Sequence, residues 1–102
     1  MKLIKKIVKM IDEELDDAQK YAECALKLRE ENPTVASVFY ALSQDEMRHM
    51  NMLHGEIVKM IEEYRRNHGE PPEAMKAVWE YKHEEHIEEA KEVTILQEMF
   101  KK

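Results

Sequence analysis

The chain has 102 residues, with 22 acidic against 16 basic side chains, a formal net charge of −6, two Gly and three Pro. This length corresponds to a single small domain, residues 1–102, and the composition favours helix almost everywhere, which argues against sandwiches, barrels and Gly-rich nucleotide folds. The negative charge disfavours nucleic acid as a partner, because binding to a phosphate backbone depends on Lys and Arg.

The cysteine content and the N-terminal residues predict the cellular compartment of the protein. The single cysteine, Cys24, allows no internal disulfide and no four-Cys metal site. Lys5, Lys6 and Lys9 interrupt every apolar run near the start, so we predict no signal peptide. No stretch approaches the roughly 20 apolar residues that span a bilayer. We therefore expect a protein of the reducing cytoplasm that has no membrane partner.

Two turn signals divide the chain into three predicted helices. They are Asn32-Pro33 and the segment 67–72, where Gly and Pro interrupt the helical pattern. The predicted helices run roughly over residues 3–31, 33–67 and 71–100. Long helices with short connections pack antiparallel, so we expect an all-α bundle of three antiparallel helices. Because four-helix bundles are common, we also expect a homodimer or larger homo-oligomer that completes four or more helices.

The apolar stripe of the second helix contains two polar residues, Glu46 and His49. At about 100° per residue, the stripe consists of Val35, Phe39, Leu42, Glu46, His49, Met50, Leu53, Ile57, Met60, Ile61 and Tyr64. Burying an unpaired carboxylate costs several kcal/mol, which means that Glu46 must be protonated, paired or bound to a metal.

The first helix repeats this anomaly, because Glu14 lies at the centre of its apolar face. At 1.5 Å per residue, Glu14 and Glu46 fall within about one turn of each other when the two helices pack side by side. A buried ion-pair cluster is the alternative for Glu14, Glu46 and His49, but without a metal it leaves excess negative charge. The sequence therefore predicts a metal site between these helices.

The third helix places two histidines, His83 and His86, on its apolar side, with Glu80 on the flank. Glu80-x-x-His83 repeats the spacing of Glu46-x-x-His49, in which side chains at i and i+3 project together. His83 has the Glu-x-x-His spacing, whereas His86 lies closer to Glu46 in its position along the bundle axis. Each is equally acceptable as a metal ligand or as a hydrogen-bonded core histidine, so Glu80, His83 and His86 are additional candidate ligands.

A Glu on one helix and Glu-x-x-His on another form half of a dimetal carboxylate site. Carboxylates offset the charge of two divalent cations, and neutral imidazole adds a nitrogen ligand. Oxygen donors with a little nitrogen favour Fe or Mn. Two iron ions are therefore the expected cofactor, with Mn or a mixed Fe/Mn pair as the alternative.

These residues resemble the ferritin-like superfamily and, within it, rubrerythrin-like proteins. The resemblance is carried by ELDDAQKY at residues 14–21 and EMRHMNML at residues 46–53, and it covers roughly residues 10–65. It implies that the residue at position 14 is a metal ligand, that Glu46 bridges two metals, that His49 ligates, and that Tyr21 lies near the site as a candidate catalytic residue.

The resemblance also implies a function, which is reaction of a reduced diiron centre with peroxide or dioxygen, or oxidation of Fe(II) as a ferroxidase. Missing ligands would come from the third helix, or from Glu14, Glu46 and His49 of a second chain, as in the small encapsulated ferritins that this chain resembles in size. Electrons would come from a separate donor or from iron itself. Two alternatives stay open: a metal-free helical module that binds a partner protein, and a metal store or sensor without turnover.

Overall fold

The structure is a computed structural model that describes residues 2–102. Three helices make up nearly all of this part of the chain. Helix α1 spans Lys2–Leu28, α2 spans Pro33–His68 and α3 spans Glu73–Lys101, and no strand occurs among these residues. The molecule is an elongated rod of 55 × 19 × 17 Å. No helix within residues 2–102 combines the length and the apolar character needed to cross a membrane.

The two turns have clear chemical causes. Asn32 caps α2, because its side-chain oxygen accepts a hydrogen bond from the amide of Val35 at 3.3 Å, and Pro33 follows in the first turn. Gly69 ends α2 with a φ of 80°, a conformation that favours glycine. Helix α3 begins at Glu73, two residues later than the sequence predicts, because Pro72 lies outside the helix as its N-cap residue.

The closest helix pair is α1 with α2, and its buried seam changes in residue size along its length. Small side chains fill one end, and larger ones fill the other. The buried residues are Ala18, Ala22, Ala25, Ala36 and Ser43 at the small end and Ile7, Ile11, Leu15, Met50 and Ile57 at the large end. On α2 the buried positions recur every seven residues, which is the spacing of a helix seam.

Helix α3 packs mainly on α1 and makes few contacts with α2. It buries only His86 and Val93. Contacts such as Asp12 with His86 and Arg29 with the carbonyl of Met99 show that residue numbers rise together along α1 and α3. Along α1 and α2 they run in opposite senses, since Ala18 meets Ser43 while Glu14 meets His49.

The buried face of α2 is rotated from the predicted stripe. Ala36, Ser43, Met50 and Ile57 face α1, whereas Val35 remains 38% exposed. Phe39, Leu42 and Glu46 are only half-buried, at the edge of the α1–α2 seam. The predicted stripe therefore contains residues from two faces of α2. One face forms the seam with α1, and the other is an apolar face that no other helix among residues 2–102 covers.

A buried hydrogen-bond chain links all three helices at Ser43. Its hydroxyl donates to the carbonyl of Ala18 at 2.7 Å and accepts from the side-chain amide of Gln97 at 3.0 Å. Ser43 is completely buried, so loss of its hydroxyl removes both of these hydrogen bonds between helices, while the Ala18 carbonyl keeps its hydrogen bond within α1.

We expect Ser43→Ala to lower the free energy of unfolding by about 1 kcal/mol, because two hydrogen bonds between the helices are lost. Urea denaturation measures this change. Ser37→Ala is the matched control, since Ser37 is exposed on the same helix. An equal effect of the two substitutions would contradict a role for the buried hydrogen-bond chain.

Candidate metal centre

Glu14, Glu46 and His49 converge at one edge of the α1–α2 pair. Each offers a ligand atom, and these atoms all lie within 4.8 Å of one another. Nδ1 of His49 lies 3.5 Å from Oε2 of Glu14 and 3.9 Å from Oε2 of Glu46. Among residues 2–102 no other group of three or more His, Cys, Asp or Glu side chains converges in this way.

The three residues come together because of their spacing along α2 and because of the way α1 is aligned against α2. Glu46 and His49 are at i and i+3 on α2 and therefore project together. Glu14 lies one turn before Ala18, whose carbonyl is held by Ser43 of α2. The hydrogen bond between Ser43 and Ala18 fixes the alignment of α1 against α2, and this alignment places Glu14 at the same height as Glu46 and His49.

The electrostatics of the site reflect two carboxyl groups in a shared space. The pKa of Glu46 is raised from 4.5 to about 7, first because its protonated form hydrogen-bonds to Glu14, and further because of burial and the negative charge of Glu14. Oε2 of Glu14 is buried and has no hydrogen-bond partner. The side chains of Glu14 and Glu46 are 24% and 17% exposed, whereas that of His49 is 49% exposed.

The site lies on the side of the α1–α2 pair that faces away from α3. On α1, Asp12 contacts α3 and lies about 160° around the helix from Glu14. On α2, His54 contacts α3 and lies about 140° around the helix from His49. Apolar side chains surround the site on this open side. Met10 precedes Glu14 by one turn on α1 and Met52 follows His49 by three residues on α2, and both are more than a third exposed.

Tyr21 lies two helical turns beyond Glu14 on the same face of α1. Its ring stacks on Phe39 of α2, with ring centroids 6.0 Å apart. Asp17, one turn beyond Glu14, is half-buried, and its negative charge also raises the pKa of Glu46. An aromatic pair therefore lies beyond the carboxylates toward the end of α1.

The structure does not bring the α3 candidates into this group. His83 lies against His54 of α2, with Nδ1 of His83 3.3 Å from Nε2 of His54, and it stacks on Trp79. Glu80 is exposed and borders an apolar groove between the ends of the helices.

His86 is placed against α1. It is 3% exposed, and its Nε2 lies 2.7 Å from Oδ1 of Asp12, whose other oxygen pairs with Lys82 at 3.1 Å. Sequence reasoning assigned no role to Asp12 or to His54. Asp12 gave no signal, because an acidic residue within a charged run is typical of a solvated helix face.

The donor set fits a metal ion. Two donor atoms that each lie about 2.1 Å from one ion, at an angle near 110°, are about 3.4 Å apart. The separation of His49 Nδ1 and Glu14 Oε2 is close to this value. The unpartnered oxygen of Glu14 and the raised pKa of Glu46 both indicate carboxylates without enough positive charge around them. A divalent cation held by these three residues would supply that charge.

A comparison with protein families identifies one match. The family model described as Rubrerythrin matches residues 6–102, which is nearly the whole chain. No curated protein matches the chain. No solved structure matches it either.

We expect the metal-free protein to lose stability as the pH rises from about 4.5 to about 7, through the raised pKa of Glu46. The folded state holds this proton more tightly than the unfolded state does, so the stabilisation is complete at lower pH and is lost as Glu46 ionises. Glu46→Gln should raise the free energy of unfolding at pH 8 by about 1 kcal/mol, a value reduced from that of a dry site by solvent screening around His49.

Urea denaturation of the chelator-treated protein between pH 5 and pH 8 measures this effect. Glu62→Gln is the matched control, because Glu62 is exposed on the same helix. If Glu46→Gln and Glu62→Gln show the same pH dependence as the unmodified protein, the carboxyl pair does not share a proton.

Proposed function

The chain belongs to the rubrerythrin family, and from this premise we propose that it is a diiron-carboxylate protein that reacts with peroxide or dioxygen as an oxidoreductase or ferroxidase. The observation that carries the proposal is the convergence of Glu14, Glu46 and His49 within 4.8 Å. An antiparallel helical bundle is the architecture in which this ligand arrangement occurs.

We propose that a second copy of the chain completes the ligand set. A full dimetal carboxylate site takes a Glu from each of two helices and Glu-x-x-His from each of the other two. Two copies of Glu14, Glu46 and His49 supply this set, and their four carboxylates balance the charge of two divalent ions.

The position of the site supports a shared centre. It lies at the open side of the α1–α2 pair, where exposed apolar residues such as Met10 and Met52 surround it. His49, whose side chain is 49% exposed, is the ligand that gains most burial from a second copy. His83 and His86 already have partners in His54 and Asp12 within the chain.

Each ligand has a defined part in this proposal. Glu46 holds a proton in the metal-free protein and releases it when a cation binds, because the cation stabilises the ionised carboxylate. Oε2 of Glu14 and Nδ1 of His49 are the donor atoms that face the shared space. Iron in this position supplies redox chemistry toward peroxide or dioxygen.

We propose that Tyr21 and Phe39 shield one end of the site from water, with Tyr21 contributing a hydroxyl near the reacting groups. Their stacked rings span α1 and α2 on the same face as Glu14. Cys24 is the single cysteine of these residues and cannot form a four-Cys iron centre. We propose that the electrons come from a separate donor or from Fe(II) that is itself oxidised.

We expect about one iron per chain after anaerobic Fe(II) loading and desalting, because two copies share two ions. Glu46→Ala should reduce this content by at least tenfold, since it removes the bridging carboxylate. Mass spectrometry of metal content measures both, and Glu62→Ala is the matched control on an exposed position of α2. Circular dichroism checks that each variant stays helical.

The outcomes separate the alternatives. Two irons per chain, lost in Glu46→Ala, would place the whole site within one chain. No retained iron in the unmodified protein would contradict the diiron proposal and leave a helical interaction module. Retained iron without steady-state consumption of peroxide or dioxygen would make the protein a metal store or sensor.

We expect Met10→Glu to weaken self-association by at least tenfold and to lower iron content in parallel, because it places a charge on the apolar surface beside Glu14. Light scattering gives the mass across a concentration series. Tyr81→Glu is the control, since Tyr81 is 64% exposed on α3 and away from this surface. A monomer that retains its iron would contradict the shared site.

A further inference from the structure

His54 of α2 and His83 of α3 face each other where these two helices otherwise make few contacts. Nε2 of His54 lies 3.3 Å from Nδ1 of His83, and the ring centroids are 5.0 Å apart. Both side chains are half-buried. Trp79 stacks beside them, with centroids 5.3 Å from His83 and 6.1 Å from His54.

A third histidine lies next to this pair. His86 follows His83 by three residues, so the two side chains project from the same side of α3. Nε2 of His86 pairs with Asp12 of α1, whereas its Nδ1 is buried and has no partner. All three helices therefore bring imidazole or carboxylate groups to this level of the bundle.

The separation of the two ring nitrogens allows a hydrogen bond between two neutral imidazoles when no ion is bound. It matches the distance of about 3.4 Å between two imidazole nitrogens that bind one ion at a tetrahedral angle. We propose that His54 and His83 form a metal site, distinct from the Glu14, Glu46 and His49 group, that binds a divalent ion such as Zn²⁺ or Cu²⁺, with water completing its coordination.

This site is separate from the carboxylate centre. His54 follows His49 by five residues on α2, which places it about 140° around the helix and about 7.5 Å further along. Its donors are nitrogens only, and imidazole suits Zn²⁺ and Cu²⁺, whereas carboxylate-rich sites suit Fe and Mn. The proposal does not rest on the diiron function.

An ion bound by His54 and His83 would link α3 to α2. Helix α3 buries only two residues, and its contacts with α2 are few. An ion held by one histidine from each helix stabilises the folded chain, because the unfolded chain does not hold the two ligands together.

The test uses the single tryptophan, Trp79, as a reporter. In a Glu14→Gln/Glu46→Gln background, which lacks the carboxylate centre, Cu²⁺ should quench the Trp79 fluorescence and saturate at one ion per chain. His54→Gln and His83→Gln should each weaken the apparent affinity at least tenfold. His68→Gln is the matched control, because His68 lies against Tyr64 at the end of α2, and it should leave the affinity unchanged.

A second readout uses Zn²⁺, which should raise the Tm of the same background by several degrees. The shift should disappear in His54→Gln and His83→Gln, whose helicity is checked by circular dichroism. Quenching or a Tm shift that persists in both variants, or the absence of saturable binding, would overturn the proposal. Loss of iron from His83→Gln in the otherwise unmodified protein would also overturn it, because His83 would then belong to the carboxylate centre.

Discussion

The close approach of Glu14 and Glu46 is the constraint on which the rest of the structure depends. Two carboxyl groups at one height of adjacent helices repel each other once both are ionised. The small residues of the α1–α2 seam, including Ala18 and Ser43, hold the helices together at this point in spite of that repulsion. The pKa of Glu46 is raised first by the hydrogen bond that its protonated form makes to Glu14, and then by burial and by the negative charge of Glu14.

The α1–α2 pair has two different sides. Helix α3 covers one of them through contacts with Asp12, Ser43 and His54. The other carries Glu14, Glu46 and His49 among apolar side chains that the chain itself leaves partly exposed. The candidate ligands Glu14, Glu46 and His49 therefore lie at an edge of the described structure instead of in a core enclosed by all three helices.

Much of this arrangement follows from the sequence. The helices were predictable to within a few residues, because Asn32-Pro33 and the Pro-rich segment before Glu73 are strong breaks in a strongly helical chain. The grouping of Glu14, Glu46 and His49 was predictable because polar residues on an apolar face stand out, and because helix rise fixes their heights.

The partners of the α3 histidines were not predictable in the same way. Periodicity shows that His83 and His86 lie on the inner side of α3, but it does not set how α3 is rotated and shifted against its neighbours. That rotation directs His83 to His54 and His86 to Asp12. A histidine such as His54 gives no signal by itself, since its importance depends on which residue of a distant helix faces it.

The uneven burial of the three helices has a consequence for local opening. Helix α3 contributes only His86 and Val93 to the buried core. Helices α1 and α2 share a long seam, which extends from the end that contains Ile7 to the end that contains Ala36. Regions with few buried apolar contacts open at lower free energy, and their amide hydrogens exchange earlier than those of the core. We therefore expect α3 to open at lower free energy than the α1–α2 pair, whose packing brings Glu14, Glu46 and His49 together.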